Sequence, residues 1–150
     1  MISESIDVTI PATEAYGLVS DPRNYGRWSP EATGATFTGA LPLVEGSRFT
    51  GNNKLWLPWT GACQVVKADG TTFAFEVKIA GIRISRWSYI VEPTTGGARI
   101  TERWDDLRTG PLGTMMKPAG MFVGRGTSAE KRNAYNIHAT LAAIAGEVNR

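Results

Sequence analysis

The chain opens on strict alternation. Ile6, Val8 and Ile10 fall on one side and Ser5, Asp7 and Thr9 on the other, so residues 2–10 predict a half-buried strand that Pro11 ends. Residues 13–20 predict a short helix, with Glu14 in the first turn, where a carboxylate suits the helix dipole. Asp21-Pro22 breaks that helix. Residues 22–28 read as a second short helix or turn, and 30–34 as loop.

A run of strands follows. Residues 35–40 are the first and 47–54 the second, with Phe49, Gly51 and Asn53 opposite Arg48, Thr50, Asn52 and Lys54. The apolar loop Leu55–Trp59 leads into 59–68, where Cys63 and Val65 share a face, and Asp69-Gly70 signals a two-residue hairpin. Residues 72–79 set Phe73, Phe75, Val77 and Ile79 against Thr72, Ala74, Glu76 and Lys78. Strands at 83–92 (Trp87, Tyr89 and Val91 on one face) and 98–107 (Ile100, Glu102 and Trp104 on one face) complete an antiparallel meander with one wet side.

Gly110, Pro111, Gly113, Pro118, Gly120, Gly124 and Gly126 predict an irregular segment over 108–126, which carries Met115, Met116, Met121 and Phe122. Thr127 to Glu130 has the pattern of a capping box and starts a helix of about five turns. Helical spacing places Ala134, Ile137, Leu141, Ile144, Ala145 and Val148 on one stripe, with Asn133 at its edge and His138 on the other flank.

One strand, two short helices, six strands and a long helix have one economical packing. It is of the α+β class: a curved seven-stranded antiparallel sheet wrapped around the C-terminal helix. The helix stripe is thin at Asn133 and Ala134 and thick at Leu141, Ile144 and Val148. The sheet is therefore expected to close on the helix's C-terminal half and stand off from the rest. That leaves a pocket, with 110–126 over its mouth. No repeat or linker interrupts the pattern, so 1–150 reads as one domain.

Composition sharpens the expectation about that pocket. Five Trp stand against one Cys and one His. A structural zinc site needs about four ligands, and a disulfide needs two cysteines, so neither is expected; no other cofactor is called for. Large flat apolar side chains with few reactive ones favour holding an apolar molecule over attacking a polar one. A net charge of +2, with acids and bases interspersed, gives no reason to expect nucleic acid. The opening MISESIDVTI lacks the order of a signal peptide, and no apolar run nears the ~20 residues of a spanning helix. The expectation is a cytoplasmic protein without membrane insertion, with a homodimer left open.

Several groups could carry chemistry. Glu102 sits between Ile100 and Trp104 on an inward face, where a carboxylate is costly unless paired or protonated. Either it pairs with an arginine across the sheet or lies at a wet strand end, or it serves a ligand in the pocket as acid or hydrogen-bond acceptor. Asn53 and Asn133 are neutral polar contacts that could orient a ligand. Trp87 and Trp104, on adjacent strands, either wall the pocket or pack plainly. His138 is a boundary residue or a donor at the pocket's edge, and Cys63 a small hydrophobe. GMFVGRG follows no strand and lacks the Lys-Ser/Thr of a phosphate cradle.

The stretches Asp21-Pro22 through Trp28-Ser29-Pro30-Glu31, Gly46 through Asn53 and Trp59 through Val65 carry a resemblance, as do Trp87-Ser88-Tyr89, Gly96 through Glu102 and Thr140-Leu141. Together they resemble the START-like or SRPBCC superfamily, whose architecture is the helix-grip fold. Within it the chain is similar to the polyketide cyclase/dehydrase and lipid transport group. The resemblance implies an internal cavity for a hydrophobic or aromatic ligand, lipid-like or polyketide-like. The residues expected to line it are Phe49, Asn53, Phe73, Phe75, Trp87, Tyr89, Glu102, Trp104, Met116, Met121, Phe122, Asn133 and Ile137. The alternatives are an aromatase/cyclase-like enzyme, in which Glu102, Tyr89 or His138 moves protons, and a non-enzymatic protein-interaction module.

Overall fold

Alternating residues form strands, and tight turns fix the order in which those strands pair. The computed structural model describes residues 1–123 and 127–149, with side chains except at 112 and 119–123. Its strands are β1 (Ile2–Val8), β2 (Ala32–Thr36), β3 (Arg48–Lys54), β4 (Pro58–Ala68), β5 (Thr72–Ile79), β6 (Ile82–Thr94) and β7 (Gly97–Asp106). Its helices are α1 (Ala12–Val19), α2 (Tyr25–Trp28, after a 3-10 turn at Pro22–Asn24), α3 (Gly110–Val123) and α4 (Ala129–Val148).

The strands form one antiparallel sheet in the order β1-β7-β6-β5-β4-β3-β2. Consecutive hairpins build most of it. At the β4–β5 turn Gly70 takes φ +89°, while the Asp69 carboxylate accepts from the Thr71 and Thr72 amides at 2.9 and 2.7 Å. β1 pairs with β7 at the far edge, joining the chain's beginning to the end of the meander.

The sheet is bent by register shifts in β2, β4 and β6, which leave Thr33, Val66 and Ile84 without opposite numbers. Bending also needs close approach. A Cβ on Gly61 in β4 would lie 2.5 Å from Val77 Cγ1 in β5, so any other residue there must push Val77 aside. The resulting half-barrel holds α4, which packs against β1, β7 and α2. Ile137, Leu141 and Ile144 of α4 are buried in the same core as Val8, Val65, Phe73 and Ile100.

Four details differ from the sequence reading. The second strand is 32–36, not 35–40, because pairing with β3 (Ala32 opposite Asn53, Thr36 opposite Thr50) outweighs the weak strand preference of ATGAT. Residues 110–123 are helix, not irregular. Pro111 falls in the first turn, where no amide partner is needed. A Cβ on Gly113 would meet Arg108 backbone at 2.9 Å, so that glycine lets α3 fold back closely on the link from β7. The cap of α4 is Ser128, whose hydroxyl accepts from the Lys131 amide, one residue later than the capping box predicted. The buried face of α4 is rotated, too: Ala134 is exposed, while Asn133, Asn136 and Thr140 join the apolar stripe.

Candidate functional site

The N-terminal half of α4 presents polar side chains to the bent sheet. Arg132, Asn133 and Asn136 face β3, β5, β6 and β7 across a cavity of about 130 Å³. An aromatic group builds one wall. Tyr25 of α2 has its ring centroid 6.0 Å from Phe75 and 5.5 Å from Tyr89, and Phe49 meets Phe75 edge-on at 5.1 Å. The Tyr25 hydroxyl donates to the Val19 carbonyl at 2.7 Å, so its ring is fixed while its polar tip is satisfied.

Two polar clusters interrupt this apolar surface. The first centres on Glu31, just before β2. Its Oε1 accepts from Trp59 Nε1 at 3.2 Å; its Oε2 accepts from Asn136 Nδ2 at 2.7 Å and Arg132 Nε at 3.2 Å. Local chain chemistry places it: the Ser29 hydroxyl accepts from the Glu31 and Ala32 amides, and the Glu31 carbonyl accepts from the Lys54 amide. The carboxylate is buried and thereby ties α4 to the α2–β2 segment.

The second cluster lies on β6 and β7. Tyr89 stands opposite Glu102, and its hydroxyl donates to Glu102 Oε1 at 2.9 Å. Burial pushes the Glu102 carboxyl up from 4.5 to about 8, and the charge of Glu4, its neighbour across the β1–β7 pair, adds to the rise. Glu102 is thus neutral at neutral pH. Burial also holds the Tyr25 and Tyr89 phenols well above 10, and the Cys63 thiol is pushed up to about 12.

Among the described residues, three buried side-chain polar atoms have no hydrogen-bond partner: Glu102 Oε2, Trp104 Nε1 and Arg132 Nη1. All three belong to residues that line this one cavity. Buried polar atoms are ordinarily paired. Trp104, Arg108 and Ala129 also border a second hollow that reaches Met1, Lys117 and Glu130.

Of the residues expected at the site, Phe49, Asn53, Phe75, Trp87, Tyr89, Glu102, Trp104 and Asn133 line the cavity. Phe73 and Ile137 do not; they are buried in the core. Met116 is half-buried away from the cavity and Met115 is exposed, while the side chains of Met121 and Phe122 lie outside the described residues. His138 projects outward and bonds Glu4 at 2.8 Å, so it offers the cavity no base. Sequence reasoning passed over Glu31, Arg132, Asn136, Tyr25 and Trp59. The signal for the first three was present: Arg132, Asn133, Asn136 and Thr140 recur at helical spacing, and Glu31 closes the Trp28-Ser29-Pro30 motif.

The profile of one known family, described as polyketide cyclase / dehydrase and lipid transport, matches residues 1–144. The chain belongs to that family. The uncharacterized protein Rv0088 of Mycobacterium tuberculosis is 29% identical over 152 residues, covering 99% of this chain and 64% of the relative. This family member therefore spans less than two thirds of that relative's length. The polyketide-cyclase-like protein Cgl2372 of Corynebacterium glutamicum is 26% identical, with a TM-score of 0.58 over 96% of this chain and 88% of that one. The di-domain ARO/CYC StfQ from the steffimycin biosynthetic pathway superposes with a TM-score of 0.68 at 13% identity, over 98% of this chain and 49% of StfQ, a likeness of fold. This chain has the helix-grip architecture of the SRPBCC superfamily. Among the described residues, no helix is long and apolar enough to cross a membrane.

Proposed function

We propose that this cavity binds a small hydrophobic or aromatic molecule, lipid-like or polyketide-like. One observation carries the reading: an aromatic-walled void stays open in the interior and holds three unpartnered polar atoms. Sites of this kind gain affinity from apolar contact and orientation from a few fixed polar groups. Size narrows the class. A void of ~150 Å³ in another protein takes one benzene ring, so about 130 Å³ suits a single ring, with any longer tail leaving through the mouth. The family's description names both lipid transport and polyketide chemistry, which supports this class without choosing within it.

Trp59, Trp87 and Trp104 on the cavity wall supply the test. Titration with single-ring aromatics should change tryptophan emission saturably, and Phe75→Trp, which fills the void, should abolish the change. Unchanged emission with every compound, or an unaffected Phe75→Trp variant, refutes the reading.

A second reading, an aromatase/cyclase-like enzyme, draws on the Tyr89–Glu102 pair, which brings a neutral carboxylic acid and a phenol together in the cavity. Such an enzyme would work mainly by positioning its substrate. Product analysis after incubation with a poly-β-ketone should then show ring formation that Glu102→Gln slows by about 10²–10⁴-fold. Equal product with and without protein refutes it.

A further inference from the structure

Glu102 and Trp104 are two residues apart on β7 and point to the same face. Strand geometry sets their Cβ atoms about 6.5 Å apart along one wall. Each is 3% exposed, and each carries a polar atom without a partner. The direction of the Tyr89 bond says what those atoms offer. With Tyr89 donating to Oε1, a proton on the neutral acid stands on Oε2, the unpartnered oxygen. Trp104 Nε1 is a donor only. β7 therefore presents two unused donors to the cavity.

Charge narrows the choice further. Among the described residues, the acidic and basic side chains on the cavity wall besides Glu102 are Glu31, Arg108 and Arg132. Arg132 pairs with Glu31 at 3.2 Å and Arg108 with Asp106 at 2.9 Å. Every cation is already balanced. An entering carboxylate would meet no unbalanced positive charge and would lie near Glu31, so hydrogen bonds from the free donors alone would have to offset the desolvation of a full charge. An uncharged oxygen with lone pairs would satisfy the free donors at no such cost.

We infer that Glu102 Oε2 and Trp104 Nε1 are the specificity-determining donors of a subsite for the carbonyl oxygen of an uncharged, ring-bearing ligand, and that the cavity discriminates against the corresponding carboxylate. This rests on the reading of the cavity as a binding site and adds the chemistry of its polar end. Arg132 Nη1, on the α4 side, is the donor for a second oxygen on larger ligands.

Three single-ring probes of similar shape isolate the subsite: acetophenone with a neutral carbonyl, ethylbenzene with no oxygen, and benzoate with a charge. Binding to the intact chain is followed by calorimetry at pH 7. The expected order is acetophenone tightest, with ethylbenzene weaker by about threefold to tenfold per lost hydrogen bond and benzoate weakest. Trp104→Phe keeps a ring but no N–H and should shrink the acetophenone-to-ethylbenzene ratio while sparing ethylbenzene. Glu102→Gln keeps a donor and should retain much of the preference, whereas Glu102→Leu should lose it. The wild-type comparison needs no variant to fold. Ethylbenzene binding as tightly as acetophenone, or benzoate binding best, overturns the subsite and leaves the apolar cavity standing. Failure of all three probes up to their solubility limits overturns both.

Discussion

Replacing Glu102 with Gln should flatten the pH dependence of stability, and the structure sets the size of the effect. The buried carboxyl titrates near 8 in the folded chain against 4.5 when solvated. The folded value lies above the unfolded one, so the stability is complete below pH 4.5 and is lost as pH rises through 8. Between those values the unfolded chain is ionised and the folded chain is not. The slope there is about 1.4 kcal/mol lost per pH unit, and the total approaches about 5 kcal/mol. An amide cannot ionise, so the variant escapes that loss, about 4 kcal/mol by pH 7.5. Its second N–H, buried without a partner, returns about 1–3 kcal/mol of this. The variant should therefore be more stable than the wild type above about pH 7 by roughly 1–3 kcal/mol and should lead by more at pH 9. The groups around Glu102 are Tyr89 on β6, Tyr25 on α2, and Glu4 on β1 with His138 of α4 upon it. Their own titrations are common to both proteins and cancel in the difference, while the push of Glu4 on Glu102 is already contained in the value near 8. Urea unfolding in half-unit pH steps from about 5 to about 9 measures both curves. Parallel curves would mean that Glu102 is ionised in the fold or open to water, and the reasoning above would fall.

Glu31→Ala should destabilise by about 3–5 kcal/mol, since it strands the Arg132 charge in the interior; Glu31→Gln should cost less, and the two are compared by urea midpoint. Cys63, with its thiol pushed up to about 12, should resist iodoacetamide at pH 8 in the folded chain and react once urea unfolds it, read by mass spectrometry. Gly61→Ala should lower stability by about 1–3 kcal/mol through collision with Val77. Val77→Ala in the same chain should restore part of that loss, and additive losses in the double variant would contradict the contact.

The strands were legible because their inward side chains are mostly apolar and alternate with polar ones, as in Phe73, Phe75 and Val77. Pairing then follows from turns the sequence spells out, such as Asp69-Gly70. β2 was not legible, because ATGAT has no period and becomes a strand only by lying beside β3. α3 was hidden for the opposite reason. Its glycines and prolines argue locally against helix, yet Pro111 and Gly113 sit where a helix start tolerates or requires them. At the site, the aromatic wall and Glu102 could be read from strand faces. Glu31 could not. Its burial depends on Trp59, Arg132 and Asn136, which lie 28, 101 and 105 residues away, and no local pattern reports a partner at that distance. Ala134 misled because its apolar character outweighed the polar residues that hydrogen bonding draws inward on the adjacent face.

Helix α4 is moored along both flanks. On one side Glu147 takes Arg27 and Trp28, and Glu31 takes Arg132 and Asn136. On the other, Glu4 holds His138, and the Asn149 side chain accepts from the Thr9 amide. A rod fastened at four points does not lift away to admit a guest. For a ligand of the proposed kind, the way in that leaves these ties intact is the end where Trp104, Arg108 and Ala129 border both the cavity and the neighbouring hollow. The Asp106–Arg108 ion pair stands beside that end, so under the proposed function its removal should speed the exchange of a ligand.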